Sequence, residues 1–342
     1  MERSVYRIDS SGSLKNLKLL TETLSQPAPD EVTVEVKAIG LNFADVFAIQ
    51  GLYSATPKGS FIPGLEYSGI IINKGKDVTE FEPGDKIMGV IRFGAYATHL
   101  NINKNYVTPL PSNWSFEEGA SFIVHSLTAY YSLVILGNIQ TDSTVLINSA
   151  AGGVGIYANR IAKKFNAFTI GTVGNSNKTD LLIKEGYDKV IVRNSNFSQQ
   201  LKESINNRNL DLVLESIGGK IFSQSFKQVS AGGRVIVYGA AHFSTGSFSP
   251  NYLKVIGKYL LRPKIDPLKL SDSNKSVMGF NLIYLWNKAE ILKKYLSEIQ
   301  NLSLAKPLIG ERFNFSNLID AIRKFQSRQT VGKVVININD EK

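Results

Sequence analysis

At 342 residues, 43% of them hydrophobic and 20% charged, the chain has the composition of an ordinary globular protein with room for two domains. It has no cysteine, which excludes disulfides, iron–sulfur clusters, thiolate-bound zinc and cysteine nucleophiles; its three histidines, His99, His125 and His242, lie too far apart to read as a metal site. A net charge of +10 admits anionic partners, but the lysines and arginines are dispersed and no aromatic-plus-basic RNA motif is present, so nucleic acid is not an expected partner.

Residues 1–9 are charged and hold no apolar run, so no secretory signal is expected and the cytoplasm is the expected compartment. Val32, Val34, Val36 and Ala38 then alternate with Thr33, Glu35 and Lys37, the period of a half-buried strand. Pro63-Gly64, Lys74-Gly75 and Pro83-Gly84-Asp85 punctuate the apolar segments that follow, which predicts a turn-rich β-domain. Residues 119–141 carry no Asp, Glu, Lys or Arg and are long enough to span a membrane, which takes roughly 20 apolar residues. The polar Ser121, His125, Ser126, Thr128, Ser132, Asn138 and Gln140 within them predict a buried interdomain helix instead, so membrane association is not expected.

Beyond about residue 124 the rhythm changes. Strands are predicted at 144–148, 167–173, 189–193, 211–215 and 234–238, with helices between them, the first marked by Val154, Ala158, Ile161, Ala162 and Phe165 on one face. That alternation predicts an α/β fold with a doubly wound parallel sheet. Residues 254–275, with six basic residues against Asp266 and Asp272, read as a solvated basic face or a mobile loop. The tail predicts a helix at 315–325 and a strand at 332–338 that returns to the first domain.

Between the first strand and first helix of this half stands Ser149-Ala150-Ala151-Gly152-Gly153-Val154-Gly155. Small residues there let the backbone approach a pyrophosphate, and the helix start offers amide donors. An enzyme using NAD places an acid about 20 residues further on. Here Gly174-Asn175-Ser176-Asn177-Lys178 holds no carboxylate, while Lys178 and Arg193 can meet a 2′-phosphate, so NADPH is the expected cofactor.

Taken together, Gly40-Leu41-Asn42-Phe43-Ala44-Asp45, Gln50-Gly51-Leu52-Tyr53, Pro63-Gly64-Leu65-Glu66, Pro83-Gly84-Asp85, Ser126-Leu127-Thr128-Ala129-Tyr130-Tyr131, the glycine turn and Val331-Gly332-Lys333-Val334 resemble the zeta-crystallin type of zinc-free quinone oxidoreductase, in the medium-chain dehydrogenase/reductase superfamily. The stretch 274–285 most resembles the sub-branch that contains the synaptic vesicle membrane protein named for vesicle amine transport. The resemblance implies a GroES-like β-domain (1–124 and 290–342), a Rossmann domain (125–289), an active site between them and a two-fold homodimer paired along an edge strand at 277–282. It also implies no catalytic zinc, since Asn42 and Leu65 stand where zinc-dependent relatives carry ligands.

By the same resemblance Asn42, Tyr53 and Thr128 lie near the nicotinamide, Ala151, Gly152, Gly153 and Val154 under the pyrophosphate, and Gly174 and Lys178 at the adenosine phosphate. Ser216, Tyr238, Gly239, Phe280 and Gly332 complete the cofactor wall. Arg193 replaces a tyrosine of the family and His125 a lysine or asparagine, the latter as a substrate contact or a core residue. The implied activity is NADPH-dependent reduction of a small quinone or α,β-unsaturated carbonyl compound, with an enoyl-thioester as an alternative acceptor. In that activity Tyr53 is a proton donor or only packs on the ribose, and Asn42 or Thr128 stabilises the oxyanion. The competing class is a membrane- or partner-associated protein that binds NADPH with little catalysis.

Overall fold

The chain opens as a two-stranded antiparallel ribbon, β1 (Glu2–Ile8) with β2 (Leu17–Thr23), in a computed structural model that describes residues 1–244 and 246–338. Residues 339–342, the end of the expected GroES-like domain range, lie outside the described residues. β3 (Glu31–Gly40) buries Val32, Val34, Val36 and Ala38, as their alternation predicts, and leads into the short helix α1 (Phe43–Ile49). β3 pairs antiparallel with β4 (Glu66–Lys74), beyond which lie β5 (Lys86–Val90) and β7 (Val107–Pro109), while β6 (His99–Asn103) also pairs with β3.

The apolar segment 116–136 is the one stretch among the described residues long and apolar enough to cross a membrane, and most of it is buried. It forms α2 (Phe116–Gly119), α3 (Ile123–Tyr130) and a π-helical turn over 131–136. α3 packs against α4 (Gly153–Lys163) through a core that includes Leu127, Tyr157 and Ile161.

The second sheet is parallel throughout. Its strands are β8 (Thr144–Ile147), β9 (Phe168–Val173), β10 (Lys189–Val192), β11 (Leu212–Glu215), β12 (Arg234–Val237) and β13 (Ser276–Gly279), in the spatial order β10-β9-β8-β11-β12-β13. α4, α5 (Thr179–Lys184), α6 (Phe197–Ile205) and α7 (Gly219–Gln228) connect β8 through β12, and the strand order is that of a Rossmann sheet. β13 is its edge strand, on which the expected two-fold pairing would rest.

Residues 254–275 are solvated, as one of the two expected readings has it, and they are helical where the other expects a mobile loop. They form most of α8 (Tyr252–Leu260) and all of α9 (Pro267–Ser273), with Leu253 84%, Leu261 87% and Leu268 75% exposed among the lysines. The face turned to solvent is therefore as apolar as it is basic. The chain then forms α10 (Ala289–Asn301), which lies on α3, and returns as β14 (Ile309–Asn314), α11 (Leu318–Gln326) and β15 (Lys333–Asn337). β15 pairs antiparallel with β3 and parallel with β14, making seven strands in the first sheet.

Candidate active site

β8 and β11 are spatial neighbours although β9 and β10 intervene in the chain, so the crevice beyond their ends is the switch point of the parallel sheet. β8 runs into Ser149, at φ +56°, and Gly152 then starts α4 with no side chain capping it. The first amides of an eleven-residue helix are thereby left for a ligand. Space dictates the glycines: a Cβ on Gly155 would sit 2.6 Å from Ala150 Cα, and one on Gly153 would sit 1.8 Å from His125 Nδ1. On Gly152 it would meet nothing nearer than 3.4 Å, so glycine there keeps room above the turn. Gly332, at φ +56°, donates its N–H to Ala151 O at 2.8 Å and bridges to Gly152, bringing β15 onto the turn.

Around Gly174 and Arg193, where the adenosine phosphate is expected, a buried polar chain crosses four strands. Arg193 Nη1 donates to Thr172 Oγ1 (2.6 Å), Thr172 Oγ1 to Asn148 Oδ1 (2.8 Å) and Asn148 Nδ2 to Glu215 Oε2 (2.8 Å). Glu215 in turn accepts from Ile217 N and Gly218 N. Arg193 is thus held with Nη2 3.2 Å from where a Gly174 Cβ would be. Burial brings its pKa down to about 10, Glu215 works against that, and the positive charge of Arg328 adds to the fall. Lys178 donates to Arg328 O and Thr330 O at 2.8 and 2.6 Å, where burial and Arg193 lower its pKa. Two of its three N–H donors are thus taken by carbonyls that tie this loop to the returning chain, and the third is left for a phosphate. Arg328, which sequence reasoning missed, donates to Ala241 O and Ser244 O.

At the other end Asn42 is buried. Its Oδ1 accepts from Lys333 Nζ at 2.9 Å and its Nδ2 donates to Gly40 O and Glu66 Oε1, both at 3.2 Å. Lys333 and Glu66, each 1% exposed, form a buried ion pair, and the second Glu66 oxygen accepts from Val124 N. Thr128 Oγ1 donates to Val124 O (2.6 Å). The donors of Asn42 and Thr128 are thus engaged within the protein rather than free for an oxyanion. Burial and the Lys333 charge hold His125 well below the usual imidazole range. The neutral ring meets Lys333 Nζ through Nε2 at 3.4 Å, and among the described residues Nδ1 has no hydrogen-bond partner. Asp45 is fully buried, accepting from Asn42 N and Tyr96 OH, and burial raises its pKa to about 7.

Tyr53 OH donates to Asn281 Oδ1 at 2.8 Å, and burial raises the hydroxyl to about 12. The neighbouring Phe280 ring lies 4.8 Å from Tyr131 and 6.5 Å from Tyr238. Tyr238 is hydrogen-bonded to Ser216, whose Oγ donates to Ser149 Oγ at 3.1 Å across the switch point. A Cβ on Gly239 would sit 3.1 Å from Ser216 O. A continuous line of contacts therefore joins the glycine turn to Tyr53.

This constellation agrees with comparisons to known proteins. Residues 28–112 match the alcohol dehydrogenase GroES-like domain family and residues 153–282 the zinc-binding dehydrogenase family. The chain belongs to the medium-chain dehydrogenase/reductase superfamily. Within the superfamily it is 32% identical over 310 residues to a zebrafish synaptic vesicle membrane protein VAT-1 homolog, covering 90% of this chain and 64% of that protein's length. The human VAT-1 homolog-like protein superposes with a TM-score of 0.85 at 25% identity over 100% of both chains. The Escherichia coli quinone oxidoreductase, solved with NADPH, gives 0.84 at 26% identity over 98% of this chain and 100% of that one.

The donor set here does not fit the zinc of metal-using superfamily members. Leu65 offers no ligand, and the Asn42 and Glu66 oxygens already bind the Lys333 ammonium. The residues at the turn do fit a dinucleotide: an uncapped helix start, room above Gly152 and cations at the adenosine end. Besides Arg328, sequence reasoning missed Lys333, Glu66 and Asn281 as parts of the site. Lys333 and Glu66 stand in motifs quoted for the family, and their meeting across 267 residues is a product of the tertiary fold.

Proposed function

We propose that this chain is an NADPH-dependent reductase that passes a hydride to a quinone or α,β-unsaturated carbonyl compound without zinc. The observation that carries the reading is the line of contacts that joins an uncapped helix start over a glycine turn to a tyrosine hydroxyl that burial keeps protonated. When bound, the reduced nicotinamide supplies the hydride. Ala151, Gly152, Gly153 and Val154 hold the pyrophosphate. Gly174, Lys178, Arg193 and Arg328 face the adenosine phosphate, and Gly332, Ser216, Tyr238, Gly239 and Phe280 form the walls. Asn42 and Thr128 bound the nicotinamide end, where the Lys333 charge behind Asn42 favours negative charge developing on the acceptor oxygen. Asn281 aims the Tyr53 hydroxyl, whose proton goes to the α-carbon of the enolate left when the β-carbon takes the hydride. An enoyl-thioester fits the same chemistry.

A second reading is favoured by the exposed leucines of α8 and α9 among lysines: a protein that binds NADPH and works at a membrane or on a partner. NADPH consumption measured against a panel of quinones and enones separates the two. The reductase reading expects turnover that survives a chelator. It also expects Tyr53→Phe to lower enone turnover by roughly 10²–10⁴-fold while sparing quinones, whose reduced oxygens take protons from water. Bound NADPH with no acceptor reduced would favour the second reading.

A further inference from the structure

Beside Tyr53 the protein forms a cavity of about 560 Å³, with Pro57, Ile91, Arg92, Phe93, Tyr284 and Trp286 in its wall and no acidic residue among the lining side chains. Its construction is specific. Phe93 is held at φ +126°, a backbone conformation that a bulky residue adopts only when its surroundings enforce it. There its ring stands edge-on to Tyr53 at 6.5 Å and to Phe61 at 5.5 Å, closing the cavity on the Tyr53 side. Also lining the cavity, the Trp286 indole is fixed by stacking on Tyr106 at 3.8 Å and 13°, with Tyr106 OH donating to Trp286 O at 3.1 Å. Two immobilised aromatic walls make a slot suited to a planar group.

Arg92 is the one cation lining this slot, and among the described residues it makes no hydrogen bond or ion pair. Its charge is felt at Tyr53, where it works against the upward pull of burial on the hydroxyl. An unpaired guanidinium at the mouth of an aromatic slot, with no carboxylate in the wall to neutralise it, matches a planar oxyanion bidentately.

We propose that the acceptor at this site carries an anionic group, a carboxylate, sulfonate or phosphate, attached to a planar conjugated system. The flat portion lies against Phe93 and Trp286 toward Tyr53, and the anionic group pairs with Arg92. This assignment of substrate class rests on the reductase reading above, while the anion site itself does not depend on turnover.

Two measurements test it. In the first, binding of 2-naphthoate and of neutral 2-naphthol to the NADP⁺-saturated protein is followed by calorimetry. In the second, kcat/KM is compared for 1,4-naphthoquinone-2-sulfonate and 1,4-naphthoquinone with NADPH. The anionic member of each pair is expected to be preferred by roughly tenfold, the scale of one partly exposed charge-assisted contact. The preference should shrink as salt is raised. In Arg92→Gln the ratio should fall to about one, and Arg92→Lys should restore part of it. A parent ratio near one, or a preference that survives Arg92→Gln and so belongs to the basic surface at large, overturns the proposal. Selective 2-naphthoate binding lost in Arg92→Gln, with no quinone reduced, would uphold the anion site and overturn the reductase reading.

Discussion

The two ends of the cleft handle positive charge in opposite ways. Behind the nicotinamide end, Lys333 is sealed from water and fully paired, its ammonium shared among Glu66, Asn42 and the neutral His125. At the proposed adenosine end, Lys178 and Arg328 donate to backbone carbonyls and Arg193 to a threonine hydroxyl, and among the described residues no carboxylate bonds directly to any of the three. A buried charge matched by a carboxylate organises its surroundings and attracts little from outside. Cations satisfied only by neutral oxygens keep most of their field, and that field is available to a phosphate. On the proposed function, the first cluster shapes the site and the second selects what enters.

The comparison can be broken first at Lys333. Lys333→Met leaves Glu66 buried beside Asn42 without its cation, and removing one partner of such a pair costs about 3–5 kcal/mol. Denaturant unfolding should show that loss, and Lys333→Met combined with Glu66→Gln should recover part of it. A loss below about 1 kcal/mol, the scale of an exposed pair, would mean that water reaches the cluster and that its charge is not sealed.

Asp45 sharpens the same point through pH. Its pKa is raised to about 7 in the folded protein by burial, against about 3.9 in an unfolded chain. A raised carboxyl contributes stability that is fully present below the unfolded value and is lost as pH climbs through the folded one. Asp45→Asn does not titrate, so its stability relative to the parent should rise between about pH 4 and about pH 7, by on the order of 1 kcal/mol for each pH step of one, and level off above. A stability difference that is flat across that range would place Asp45 among ordinary ionised carboxylates.

How much of this was legible in the sequence depends on how local each signal is. The alternation of Val32, Val34, Val36 and Ala38 and the glycine turn at Gly152–Gly155 are properties of a few consecutive residues, and the structure bears both out. Lys333 reads in sequence as one more lysine, because its meaning lies in Glu66, which reaches it only when β15 pairs with β3. Arg328 and Asn281 likewise gain their roles from neighbours distant in the chain, Ser244 and Tyr53. Residues 254–275 were legible as a solvated face but not as helices that expose apolar side chains, because counting charges says nothing about which face a helix turns outward, and here Leu260 and Leu268 are exposed. The strained backbone of Phe93 has no sequence signature beyond the Gly94 that follows it.

The central claim, that the open positive charge at the adenosine end selects a 2′-phosphate, is tested most directly by titrating the parent protein with NADPH and with NADH under identical salt. NADPH should bind more tightly, and Lys178→Ala should weaken NADPH by about 1–3 kcal/mol, the range for a lost charge-assisted hydrogen bond, while leaving NADH nearly unchanged. Equal affinities of the parent for the two dinucleotides would contradict the account.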